Sequence, residues 1–109
     1  MAIVNKEFFK VIGEKEEDRI RFRFLIEKGK VTNLVIQYEA IINGKWKELV
    51  RYDFAHGFFH RDLMFSNGEK EKKRIEIQNL KNASVYAEED IKDRWQWYKE
   101  NFKSKLKKK

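Results

Sequence analysis

Two histidines stand four residues apart, His56 and His60, and Arg51, Asp53, Arg61 and Asp62 lie around them. Imidazoles are the side chains that titrate nearest neutrality, so a pair beside guanidinium and carboxylate groups holds the parts for proton transfer at a phosphate. Attack by a ribose 2′-hydroxyl on the adjacent phosphodiester needs a base, an acid and a cation for the developing charge. His60 and His56 are the candidate acid and base. Arg51 or Arg61 is the candidate phosphate contact, and Asp53 or Asp62 would orient an imidazole. The chemistry this set suggests, if the chain is an enzyme, is metal-independent RNA cleavage.

On a helix the same spacing would offer both imidazoles to a metal ion. Gly57 and the Phe58–Phe59 pair oppose a helix there, although across a turn the histidines can still meet, with Asp53 or Asp62 as a third ligand. The chain has no cysteine and no H-E-x-x-H. The expectation is therefore corner and surface histidines, with no metal and no cofactor. His60 to Asn67 also spells H-R-D-L-x-x-x-N, the catalytic-loop pattern of protein kinases. Kinase chemistry further requires a D-F-G metal ligand, a Gly-rich phosphate loop and two lobes. A chain of 109 residues with neither motif is not a kinase.

Charged residues make up 39% of the chain and its net charge is +7. That balance favours a polyanionic partner, RNA first, or an acidic protein such as an antitoxin. A surface rich in Lys and Glu is also a mark of heat-adapted proteins. Without cysteine there are no disulfides or thiolate sites. No run approaches the roughly 18 apolar residues of a membrane span, and the N-terminus lacks a signal-peptide layout, so a cytoplasmic protein without membrane contact is expected. The length suits one domain, residues 1–109, whose basic end (103–109) frays into solvent.

The elements that must hold the polar cluster are mostly strands. Residues 3–12 suit either a helix or a strand, and a strand pairing with the next across the turn Glu14–Asp18 is favoured. Arg19 to Glu27 alternates Ile20, Phe22, Phe24 and Ile26 against Arg19, Arg21 and Arg23, as a half-buried strand does. Gly29 closes a hairpin into a strand from Val31 to Ile42, and Asn43–Gly44 closes the next. From Lys45 to Phe54 the alternation puts Trp46, Val50, Tyr52 and Phe54 inward, with Lys45, Lys47, Arg51 and Asp53 outward. Phe58 to Phe65 follows, with Phe59, Leu63 and Phe65 inward and Arg61 on the apolar side, snorkelling or at an edge. Lys72 to Ile77 suits a short edge strand. Ala87, Ile91, Trp95, Tyr98, Phe102 and Leu106 then form one helical stripe, capped by Asn82 or Ser84, with Glu88, Glu89 and Asp90 near its first turn.

The expected fold is α+β: an antiparallel meander of four to five strands with one long C-terminal helix on its apolar face. Such a sheet leaves its second face to water. On that face fall Arg19, Arg21, Arg23, Lys45 and Lys47, a candidate track for a nucleic-acid backbone, together with Arg51, Asp53, His60 and Asp62. Trp97 lies off the helix stripe and is a candidate contact for a protein partner or a second copy.

The run VRYDFAHGFFHRDL (Val50–Leu63) followed by AEEDIKDRWQWYKENF (Ala87–Phe102) resembles a family of small prokaryotic proteins of unknown function. Its members carry RYD-x-AHG-x-x-H-x-D and a helix of the form D-I-x-x-x-W-x-x-Y-x-x-x-F. More distantly the chain is similar to TumE-type toxins of toxin–antitoxin modules. The resemblance implies a small cytoplasmic protein with Arg51, Asp53, His56 and His60 as its shared polar core.

Overall fold

The computed structural model describes residues 3–55 and 57–104. His56, Leu106 and the end of the basic tail lie outside the described residues. The strands are β1 (Ile3–Ile12), β2 (Asp18–Glu27), β3 (Lys30–Ile42), β4 (Lys45–Asp53), β5 (His60–Met64) and β6 (Lys70–Arg74), followed by one helix, α1 (Leu80–Ser104). They form one antiparallel sheet in chain order, β1 to β6, so the meander has six strands where four to five were expected. The edge strand at its end is Lys70–Arg74 and not Lys72–Ile77. Beyond it Ile75 still donates its amide to the Phe59 carbonyl, at 2.9 Å.

Alternation puts Ile20 and Phe22 of β2, Leu34, Ile36, Tyr38 and Ala40 of β3, and Val50 and Tyr52 of β4 on one buried face. Each fully buried Ile or Leu there is worth roughly 1.5 to 3 kcal/mol. The helix roofs this face with Ala83, Ala87, Ile91, Tyr98 and Phe102. It has no Gly or Pro from end to end and starts earlier than its stripe suggests. Asn79 caps it, its Oδ1 accepting the Asn82 amide at 2.9 Å, so Asn82 and Ser84 are helical and Glu88, Glu89 and Asp90 sit beyond the first turn. Lys103 and Ser104 belong to its last turn. Gly13 comes so close to Trp95 that a Cβ there would meet the indole ring at 3.0 Å. The β3–β4 hairpin turns on Asn43 and Gly44, both at positive φ (54° and 80°), the conformation of a two-residue turn matched to strand twist.

One irregularity changes which side chains face where. Tyr38 pairs with Val50 but Glu39 pairs with Glu48, so Leu49 is an extra residue in β4, a β-bulge. Before it the alternation runs in the opposite sense. Ala40 pairs with Lys47 and Ile42 with Lys45, which puts both lysines on the helix side, while Trp46 pairs with Ile41 on the other. The expected outward lysines and inward tryptophan are both corrected. Trp46 instead lies under the Arg19 guanidinium, 3.8 Å from the ring centroid.

Candidate functional site

Three consecutive rungs of the β4–β5 ladder, Arg51↔Asp62, Tyr52↔Arg61 and Asp53↔His60, carry most of the polar residues singled out above. Directly paired residues share a face and neighbouring rungs alternate. Arg51, Asp53, His60 and Asp62 therefore meet on the face away from the helix. Arg61 goes with Tyr52 to the helix side and cannot join them.

On the far face, His60 Nε2 lies 2.9 Å from Asp53 Oδ1 and 3.6 Å from Asp62 Oδ2. Its Nδ1 is 3.3 Å from the Phe58 carbonyl. Asp53 Oδ1 also accepts the Ala55 amide at 3.0 Å. One ligand-type atom from each of Asp53, His60 and Asp62 falls within a sphere where all lie within 4.8 Å of one another. Asp62 Oδ1 is buried and accepts no hydrogen bond from the described residues, although the Lys72 ammonium stands 3.5 Å away.

These groups were expected under open solvent. His60 is instead 1% exposed, Asp62 4% and Asp53 5%, on a face that no helix covers. Long neighbouring side chains do the covering. The Phe58 ring lies 5.5 Å from the imidazole, and Arg74 lies over Phe58 at 4.8 Å.

The arginine rib of β2 stands on the predicted face but is neutralised there. Arg19 binds Glu39 at 2.8 Å. Arg21 binds Glu7 at 2.8 Å and Glu39 at 3.4 Å, and Arg23 reaches Glu7 at 3.4 Å. Hydrogen bonding from Arg21 holds the Glu7 carboxyl below its ordinary range. Arg51 is tied to Glu48 at 2.7 Å and to Gln37 at 3.3 Å. Lys45 and Lys47, on the other side of the sheet, do not extend this rib.

Beneath the helix lies a second polar cluster that the sequence did not single out. Asp90 accepts hydrogen bonds from Tyr52 at 2.5 Å, from Tyr98, and from Arg94 at 2.9 Å. Arg61 and Arg94 both donate to the Tyr98 hydroxyl, at 3.1 and 3.2 Å. Arg61 is therefore neither snorkelling nor at an edge. It is buried and bonded to the helix. Burial, with hydrogen bonding to Asp90, pushes the Tyr52 and Tyr98 phenols above their ordinary value.

Further positive charge gathers at the other edge, where Lys72 pairs with Asp62 at 3.5 Å and Arg74 with Glu76 at 3.1 Å. Strand β6 reads KEKKR and is exposed along its whole length. Lys70, Lys72 and Arg74 project to the same face as His60. Beside them a cleft of about 300 Å³ is lined by Phe54, Phe58, Phe59, Arg74, Ile75 and Ile77, among others. The cluster K-x-K-K-R was the available signal for this edge. Trp97 is half exposed with Arg94 against its ring, as expected of a residue off the stripe. Among the described residues no helix is long and apolar enough to cross a membrane.

Residues 3–108 match the family model described as Domain of unknown function (DUF7718), and the chain belongs to that family. No curated protein and no solved structure matches it.

Proposed function

We propose that this member of a family of unknown function binds RNA along its β5–β6 edge. Lys70, Lys72 and Arg74 would contact successive phosphates, and the Phe58 cleft would take an unstacked base. The observation that carries the reading is β6 itself: four of its five residues are basic and all are exposed. The arginines of β2 contribute less, because all three are held by Glu7 and Glu39, whereas Lys70 has no ion pair among the described residues and the ion pair of Arg74 is with the exposed Glu76. The proposal is of binding and not of cleavage. A general base must reach the proton it removes, and His60 is enclosed and engaged with Asp53. An acidic antitoxin, implied by the resemblance to TumE-type toxins, would compete with RNA for the same edge.

The test is fluorescence anisotropy with single-stranded RNA in EDTA across a salt series. Replacing Lys70, Lys72 and Arg74 together by Gln should lower the slope of log K against log salt by about 2, since each phosphate contact on a single strand contributes about 0.7. Replacing Arg19, Arg21 and Arg23 should change it little. Equal loss in both triples would sink the assignment to β6. RNA cut in EDTA by the native chain but not by His60→Ala would replace binding with catalysis.

A second reading, a protein-interaction or self-associating module, is favoured by the exposed Ile3, Val4, Phe9 and Val11 of edge strand β1 and by Trp97. A dimer in sedimentation without RNA affinity at low salt would select it.

A further inference from the structure

We infer that Asp53, His60 and Asp62 form a binding site for one divalent transition-metal ion, with Zn²⁺ the best fit to one imidazole nitrogen and two carboxylate oxygens. The inference stands apart from RNA binding and needs none of its contacts. Zinc bonds to imidazole and carboxylate run about 2.0 to 2.2 Å, so the edges of a tetrahedral site are about 3.3 to 3.6 Å. The distances from His60 Nε2 to the two carboxylate oxygens, 2.9 and 3.6 Å, bracket that range. All three donors lie within 4.8 Å of one another, so side-chain adjustment without a change of fold would bring them to one ion.

The surroundings are those of ligands held for a metal. The other His60 nitrogen faces the Phe58 carbonyl, the contact that commonly fixes a metal-binding imidazole in its tautomer and orientation. Asp53 is steadied by the Ala55 amide. Asp62 supplies the independent sign. It is more than nine-tenths buried; its Oδ2 is the oxygen that faces His60, and its Oδ1 has no hydrogen bond from the described residues, so the carboxylate as a whole is left short of partners. Leaving a buried carboxylate oxygen so poorly satisfied is costly in a site with no further role. Two enclosed carboxylates beside an imidazole also call for positive charge, and Lys72 at 3.5 Å meets that need only in part. Its side chain is 41% exposed and is free to swing out toward solvent.

The experiment uses the full chain dialysed against chelator, then titrated with Zn²⁺ or Co²⁺. Calorimetry should give one equivalent of Zn²⁺. Free Zn²⁺ at a hundredfold excess over Kd should raise Tm by about 10 °C, and Co²⁺ should give the visible absorption of a low-coordinate site without sulfur. Asp53→Asn and Asp62→Asn should each abolish the stoichiometric binding while keeping the far-ultraviolet circular dichroism of the parent. Lys72→Ala should tighten Zn²⁺ several-fold by removing the competing ammonium, and it tests the site even where an aspartate variant fails to fold. No binding at one equivalent overturns the inference. So does binding that survives both aspartate substitutions, or that Lys72→Ala leaves unchanged or weakens.

Discussion

Tyr52 and Asp53 are neighbours in β4, yet they anchor two polar clusters of opposite character on the two sides of one sheet. Under the helix, one carboxylate, Asp90, is shared by two phenols and a guanidinium, with Arg61 closing the cluster through Tyr98. Neutral hydroxyls separate the charges there, although Arg61 Nε is itself buried without a hydrogen bond from the described residues. On the far side two carboxylates flank one imidazole, and one carboxylate oxygen accepts no hydrogen bond from the described residues. The first arrangement fastens a helix to a sheet. The second has more negative charge than the described residues around it satisfy, and it is on that excess that the proposed metal site rests. The contrast teaches that burial alone does not separate structural polar groups from functional ones. What separates them is the charge each holds: one carboxylate with two guanidinium groups under the helix, two carboxylates with one imidazole on the far side.

The largest effect should come from breaking the cluster under the helix. Asp90→Ala takes the shared acceptor from the Tyr52 and Tyr98 hydroxyls and should cost about 2 to 4 kcal/mol in urea unfolding. A cost under about 1 kcal/mol would mean the cluster fastens nothing. Next is alkaline stability. The Tyr52 and Tyr98 phenols are raised in the folded chain, so their contribution is fully present below the unfolded value near pH 10. It is lost as pH rises from there toward their folded values. Each should remove about 1.4 kcal/mol per pH unit over that window, measured by unfolding at a series of alkaline pH values. Tyr98→Phe should flatten the curve by one proton. On the other side, Asp62→Asn in chelator should cost less than about 1 kcal/mol, since the oxygen it replaces accepts no hydrogen bond from the described residues. A cost as large as that of Asp90→Ala would erase the distinction between the two clusters. The smallest effect is expected at Trp97. Trp97→Ala should change stability by no more than about 0.5 kcal/mol, so loss of self-association in sedimentation would then report a contact and not a folding defect.

Much of this architecture can be read from side-chain alternation. The strands Asp18–Glu27 and Lys30–Ile42, the turn at Asn43–Gly44 and the helix stripe follow from periodicity alone, because one buried face imposes it. The face assignments of His60, Asp62 and Arg61 follow in the same way. Their burial does not: that of His60 and Asp62 depends on Phe58, Arg74 and Lys72 lying over them, and that of Arg61 on the helix arriving from the end of the chain. The Tyr52–Asp90–Tyr98 cluster was illegible for a related reason. Tyr52 and Tyr98 read as ordinary apolar positions, and Asp90 as a helix-terminal acid, until the true helix start at Leu80 moved it inward. Ion pairing of the arginine rib depends on Glu39 and Glu7 arriving from two separate strands. The bulge did leave a trace. Leu49 and Val50 are adjacent apolar residues in a run that otherwise alternates, and both are fully buried.

That extra residue has a consequence for comparing members of the family. Leu49 acts as a frame switch: everything in β4 before it is displayed with inverted polarity relative to everything after. A relative lacking one residue here would show lysines where this chain shows Trp46 and would bury the indole, with every other strand unchanged. A single gap in an alignment at this position therefore marks proteins whose outer surfaces are not equivalent, however similar their sequences are on either side of it.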